Sequence, residues 1–383
     1  MSEGGIFAAA VAALLMAVQL ASVALATWRL RAARTERNVA SPSVTLLVPV
    51  RGLDPFAQRT LGSAFRQDHD NYEIVFTVAS PADPAIPLIE ALVARHPERQ
   101  ARLLVGEEYL TGNPKLNNLN KGWVASEGKW VAIVDSNAFM RPDYLRALAA
   151  AAGADAGLVT SPAIGTCGEG MWAATEAAFL NTFQARWQFL ADLFGFGFAQ
   201  GKTLFWRRSV LDAAGGPASL GFDLAEDVAA TKLVRRSGLK VRLVDRPVEQ
   251  PIGRRRLADV WARQLRWARI RRLGFVWLFL PEILLGAAIP TVALAFMVAT
   301  GAAPFLLLPA FLCLWYGAEW AMARLNRWPA GPLDVAAMLM RDLMMPLLYV
   351  WSFASNHIQW RGTVMEAPRA AMAHSSDVRP AGH

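Results

Sequence analysis

The chain has 383 residues, 54% of them hydrophobic and only 18% charged, and its mean hydropathy is +0.26. This balance excludes a disordered protein and argues against a wholly soluble one. Net charge is +8, and eight Arg against one Asp between Arg254 and Arg272 put a local +7 in one short stretch, which suits nucleic acid, anionic lipid or a phosphorylated substrate.

In chain order, residues 6–27 form an uncharged apolar run, and some 20 such residues cross a ~30 Å hydrocarbon core. Ala24-Leu25-Ala26 has the form of a cleavage site, but Glu3 and the absence of Lys or Arg before the run argue against a signal peptide. The expectation is a retained anchor over 1–37. Arg29, Arg31, Arg34 and Arg37 follow the run, so the positive-inside rule puts the next domain on the cytoplasmic side.

Residues 38–250 have soluble-domain composition. Short apolar runs predict strands over 44–50, 72–78, 102–105 and 130–134, alternating with helices over 56–65, 86–95 and 117–126. That alternation predicts an open parallel α/β sheet with its ligand at the carboxyl ends of the strands. Neither GxGxxG nor GxxxxGK[ST] is present, so neither a dinucleotide fingerprint nor a P-loop is indicated.

An arginine-rich helix is expected over 251–276 and membrane helices over 277–360, with candidate spans at 283–300 and 303–321. A third run, 333–355, holds Arg341, Asp342 and Pro346. It reads either as a span with an internal ion pair or as a re-entrant or interfacial helix. Glu319 requires a partner or an interfacial position. Residues 361–383 read as a tail. Nucleic acid is not an expected partner, because the basic stretch abuts apolar segments.

Four features carry candidate chemistry. Asp83 follows the second strand, where it serves either as a helix cap or as an acceptor for a nucleobase or ribose. Asp135-Ser136-Asn137 ends the fourth strand; it is a turn stabilised by side chains or the oxygen ligands of Mg²⁺ or Mn²⁺. Glu226-Asp227 opens a helical stretch, either as charge at a helix N-terminus or with one acid as a general base. Arg263-Gln264-Leu265-Arg266-Trp267 lies in the basic stretch, as a positive-inside flank or as a headgroup-level helix gripping phosphate.

Together and in this order, these features resemble the ceramide glucosyltransferase family, glycosyltransferase family 21. Its three separated aspartates match Asp83, Asp135 and Asp227, its (Q/R)xxRW motif matches Arg263–Trp267, and its NPKxNN segment matches Asn113-Pro114-Lys115-Leu116-Asn117-Asn118. Gln200-Gly201-Lys202 and Ser161-Pro162 are similar to bacterial members. The resemblance implies an α/β, GT-A-like domain that binds a UDP-sugar, with an N-terminal transmembrane anchor and C-terminal transmembrane or interfacial helices. It further implies that Asp83, Lys115, Asn117, Asp135 and Arg263 bind the nucleotide sugar and that Asp135, with Asn137, holds Mg²⁺ or Mn²⁺. Asp227 is then the base, Arg266 neutralises the departing UDP and Trp267 walls the acceptor site. Animal members carry a His where this chain reads Thr182-Phe183-Gln184-Ala185-Arg186, which leaves the acceptor open.

The resulting expectation is a multi-pass enzyme of the bacterial inner membrane with a cytoplasmic catalytic domain. It inverts while moving a hexose, glucose first, to the hydroxyl of ceramide or diacylglycerol. A hopanoid glycosyltransferase is the alternative, then a processive polysaccharide synthase. From a different class comes a non-catalytic membrane scaffold on the same fold.

Overall fold

The computed structural model describes residues 2–32, 42–223, 225–360 and 363–365; Arg34, Arg37 and most of the 361–383 tail lie outside them. Helix α1 (Glu3–Arg31) is rich in Ala and Leu, strong helix formers, and starts where Ser2 Oγ accepts from the Gly5 N–H. Then come β1 (Val44–Val50), α2 (Ala57–Gly62), β2 (Tyr72–Val78), α3 (Ile86–Arg95), β3 (Ala101–Val105), α4 (Pro114–Ala125) and β4 (Trp130–Val134). All four expected strands form, and β1 is buried along its whole length, as its unbroken apolar run requires of a strand covered on both faces.

The chain continues through α5 (Tyr144–Ala151), β5 (Ala156–Thr160), β6 (Ala163–Glu169), α6 (Met171–Ala178), a π-helical segment (Phe179–Ala185) and α7 (Arg186–Leu193). After these come β7 (Thr203–Arg207), α8 (Arg208–Ala213), α9 (Glu226–Arg236), β8 (Lys240–Leu243), β9 (Val248–Arg254) and α10 (Leu257–Gly274).

The main sheet has the order β3-β2-β1-β4-β7-β5-β8. It is not all parallel, which corrects the expected topology: β7 runs antiparallel to both β4 and β5. Strand β7 is buried on both faces like its neighbours, so hydrophobic patterning carries no sign of its direction. Its direction decides the site, because pairing Val134 with Thr203 places Gly201-Lys202 beside Asp135 at the carboxyl end of β4.

The carboxy-terminal helices are α11 (Val276–Phe279), α12 (Ala288–Ala299), α13 (Leu307–Leu325) and α14 (Pro332–Ser352). By length and composition they do not show the expected spans. Among the described residues α1 alone is by itself long and apolar enough to cross a membrane; residues 276–285 and α12 pass together but are bent by 42° at their junction. The break falls between Pro281, Gly286 and Pro290, residues that interrupt or weaken a helix. Helices α13 and α14 fall short because Glu319, Arg324, Arg341 and Asp342 lie within them.

Glu319, Arg341 and Asp342 are buried against one another, while Arg324 is exposed. Arg341 Nη1 reaches Glu319 Oε2 at 2.8 Å and its Nε reaches Asp342 Oδ1 at 2.8 Å. Arg186 of α7 lies 3.3 Å from Glu319, and Gln19 of α1 donates to Glu319 and accepts from Arg186. This knot ties α1, α7, α13 and α14 together, and it gives Glu319 the partner its sequence context demands. Removing one member of a buried ion cluster strands the others, at about 3–5 kcal/mol. Glu319→Gln is therefore expected to lower the midpoint of thermal unfolding in detergent; an unchanged midpoint would show that the knot contributes nothing to stability.

Candidate active site

The site gathers at the carboxyl edge of the sheet. Asp135 is the first residue after β4, and its N–H donates to the Lys202 carbonyl, which closes the β4–β7 pairing. Its carboxylate meets Lys115 Nζ at 2.7 Å and Lys202 Nζ at 3.0 Å. Lys115 stands on the first turn of α4, whose start Pro114 and Asn113 specify: Asn113 Oδ1 accepts from the Lys115 N–H. From there its ammonium also donates to Glu226 Oε1 at 2.7 Å and to the Gly201 carbonyl at 3.1 Å.

Asp227, the next residue on α9, accepts from the Gly201 N–H at 3.2 Å. Gly201 is tightly enclosed, since a side-chain carbon there would lie 3.1 Å from Glu226 Oε1 and 3.6 Å from Asp227 Oδ2. Asp135, Asp227, Lys115, Lys202 and Glu226 thus form one cluster. Lys202 was not a candidate from sequence, although the Gln-Gly-Lys run was visible there, and Glu226 was one only as the other member of the acid pair.

The electrostatics separate the acids. Burial opposes charge on Asp135, but Lys115 and Lys202 outweigh it and hold its carboxyl well below the usual range. Lys115 is held above its usual value for the reciprocal reason: Asp135 and Glu226 overcome its burial. Burial pulls Lys202 down despite Asp135, and the nearby Arg263 guanidinium adds to that. Asp227 goes the other way, pushed up to about 7 by burial and then by the adjacent Glu226. A carboxyl poised near neutrality has the property a general base needs.

The residues also pass a test for a hard cation. Asp135 Oδ2 and Asn137 Oδ1 converge on one positive atom, Lys202 Nζ, at 3.0 and 2.7 Å. That ammonium stands in for a cation between two oxygen donors. Among the described residues no three His, Cys, Asp or Glu side chains gather into a metal site, so a cation here depends on substrate oxygens to complete its shell, as Mg²⁺ habitually does.

Other candidates lie further out. Asp83 accepts from the Gly52 N–H after β1, at 2.9 Å through Oδ2, and from the Ala85 N–H at 2.9 Å. It holds the β1 and β2 edges together, two strands from Asp135. Asn117 is fully engaged, accepting from Leu110 N–H and Thr111 N–H and donating to the Thr111 carbonyl, so it shapes the loop before α4.

Arg263 and Trp267, one turn apart on α10, stack with the guanidinium 5.7 Å from the ring centroid. Arg263 is ion-paired with the buried Glu176 of α6, which also holds Arg255 at 3.1 Å. Arg266 is on the same helix, half-buried. Much of the basic stretch is satisfied internally: Arg271 pairs with Glu282 at 2.6 Å and Arg269 donates to the His357 carbonyl.

The family model of glycosyl transferase family 21 matches residues 9–372. Ceramide glucosyltransferase 3 of Caenorhabditis elegans is 24% identical over 348 residues, covering 86% of this chain and 74% of the relative. Ceramide glucosyltransferase 1 of the same organism is 28% identical over 240 residues, 62% of this chain, and the chain spans 52% of that relative's length. In Komagataella phaffii a ceramide glucosyltransferase is 41% identical over 101 residues, 25% of this chain and 20% of the relative.

Among solved structures, the mannosyltransferase PcManGT from Pyrobaculum calidifontis, in complex with GDP-Man and Mn²⁺, superposes with a TM-score of 0.53 at 20% identity over 87% of this chain and 98% of its own. That likeness establishes the α/β GT-A-like glycosyltransferase fold. The chain accordingly belongs to glycosyl transferase family 21, as a ceramide glucosyltransferase-like glycosyltransferase.

Proposed function

We propose that the protein is an inverting glycosyltransferase that moves a hexose, glucose first, from a UDP-sugar to the hydroxyl of a membrane lipid, ceramide or diacylglycerol. The observation that carries this reading is Asp227, a half-buried carboxyl raised to about 7 at the edge of a cluster whose lysines suit a diphosphate. Asp227 takes the proton of the lipid hydroxyl as that oxygen bonds to the anomeric carbon. The bond from that carbon to the β-phosphate oxygen breaks, and UDP leaves with the electron pair. One displacement inverts the centre, and one carboxylate base suffices.

Lys115 and Lys202 lie where they can meet the diphosphate, and Arg266 adds charge from α10. A divalent cation held by Asp135 and Asn137 would neutralise charge on the same leaving group. Asp83 and Asn117 serve the nucleotide end by fixing the strand edge and the loop that border it.

Placement supports a lipid acceptor. A water-soluble donor and a bilayer-soluble alcohol meet only at an interface, and α1 provides an apolar anchor. Trp277, Leu278, Leu343, Leu347 and Trp351 expose apolar surface on the carboxy-terminal helices, which suits partial insertion. Arg29 and Arg31 follow the apolar run, so the catalytic domain is proposed to face the cytoplasm.

The test is transfer in mixed micelles with Mn²⁺, pairing labelled UDP-glucose, UDP-galactose, UDP-glucuronate and UDP-N-acetylglucosamine with ceramide, diacylglycerol and a hopanoid alcohol. One labelled lipid is expected. If folded, UDP-binding protein labelled none of them, these lipids would be ruled out as acceptors.

A further inference from the structure

The π-helical segment Phe179–Ala185 packs against α10 and α14, and π turns are frequent at functional sites. Between these elements lies a small pocket lined by Phe179, Phe183, Phe279, Met345 and Leu348, with Gln264 and Tyr349 as its uncharged polar members; the Tyr349 hydroxyl already donates to the Leu280 carbonyl at 3.0 Å. Its charged members, Arg271 and Glu282, neutralise one another in a bidentate pair.

Gln264 is only 2% exposed. Its Oε1 accepts from Gln184 Nε2 at 3.1 Å, while Gln264 Nε2 and Gln184 Oε1 are buried with no hydrogen-bond partner. Exchanging O and N in both amides leaves the same result, one free donor and one free acceptor in the bonded pair, of which Gln264 lines the pocket. Buried polar atoms of this kind call for a partner, and the partner must both accept and donate.

Resting on the lipid glycosyltransferase reading, we infer that the Gln184–Gln264 pair is the acceptor-selecting element. It engages a group on the lipid that donates and accepts at once, an amide or a second hydroxyl. The pocket holds about 20 Å³, room for one such group and not for a hydrocarbon chain. The chains therefore lie outside it, along the exposed apolar faces of α11 and α14. An ester satisfies the free donor and leaves the free acceptor unpaired, so a diacylglycerol is discriminated against.

Position agrees with this role. Gln264 follows Arg263, whose charge reaches Lys202, and the far end of α10 packs on Val228, the neighbour of Asp227: a side-chain carbon on Gly274 would lie 3.0 Å from Val228 Cγ1. The same helix thus borders both the reacting centre and the amide pair.

The experiment measures transfer from UDP-glucose to ceramide, to 3-deoxyceramide and to diacylglycerol of matched chain length. Wild type is compared with Gln264→Leu and with the double variant Gln184→Leu/Gln264→Leu, which removes both partners and leaves no stranded amide. Both variants are expected to lower the ceramide-to-diacylglycerol ratio of kcat/KM about tenfold through KM for the lipid, with KM for UDP-glucose unmoved. If 3-deoxyceramide behaves as ceramide does, the amide is the group engaged; if it behaves as diacylglycerol does, the hydroxyl is. A ratio unchanged in both variants, or an equal loss on every lipid, would reduce the pair to a packing element. Wild type that labels no lipid at all would overturn the underlying reading rather than this refinement alone.

Discussion

Asp227→Asn is expected to lower the transfer rate by about 10²–10⁴-fold, the range a positioned general base contributes, while UDP binding measured by calorimetry stays near wild type. The ammonium of Lys115 bonds Glu226 and Asp135 rather than Asp227, so neutralising Asp227 leaves the diphosphate cluster intact. Retained turnover would remove Asp227 from the base role and leave Glu226 as the candidate. The pH profile gives a second reading. Because the folded carboxyl is pushed up to about 7, the basic form is lost below that value, and kcat/KM should fall as pH drops from 8 to 6.

Stability should move in the opposite sense. A carboxyl whose folded pKa exceeds its unfolded one binds its proton more tightly when folded. Its contribution becomes increasingly unfavourable as pH rises from about 4 to about 7 and stays so above. Asp227→Asn escapes this penalty, so at pH 8 the variant should melt no lower than wild type. A variant that is less active but not less stable is the signature of a functional strain.

Chelation is the second large effect. EDTA is expected to reduce transfer by about 100-fold, a typical cost of losing one preorganised charge at a reacting centre, and added Mn²⁺ should restore it. The geometry behind this is Lys202 Nζ, 3.0 Å from Asp135 and 2.7 Å from Asn137. A cation entering there displaces an ammonium already lowered in pKa by burial and by Arg263, and the released Lys202 is free to meet the diphosphate. Lys202→Met should accordingly bind Mn²⁺ more tightly and still turn over more slowly. Full activity in EDTA would instead assign the neutralising charge to Lys115 and Lys202 themselves.

The carboxyl-edge logic of the site was legible in the amino-acid order. Apolar runs too short for helices and ended by polar turns predicted β1, β2, β3 and β4, and acids just past strand ends pointed to Asp83 and Asp135. Helix α4, expected over 117–126, begins three residues earlier, at Pro114, where Asn113 caps it. Family resemblance supplied Asp227 and Arg263–Trp267, whose local signals alone did not separate catalysis from ordinary helix-end charge.

Other features were decided only in three dimensions. The direction of β7 has no periodic signature, because a strand buried on both faces looks the same either way, yet that direction delivers Lys202 to Asp135. Lys115 is next to Glu226 only because α4 and α9 meet over the same sheet edge. Two of the carboxy-terminal runs read as a hairpin of spans by hydropathy and the third stays open, but Glu319, Arg341 and Asp342 are joined in a knot with Arg186, which exists only once distant helices pack. Local order determines which residues turn, cap or bury. Which charges neutralise one another depends on long-range register, and that register sets the proton affinity of Asp227.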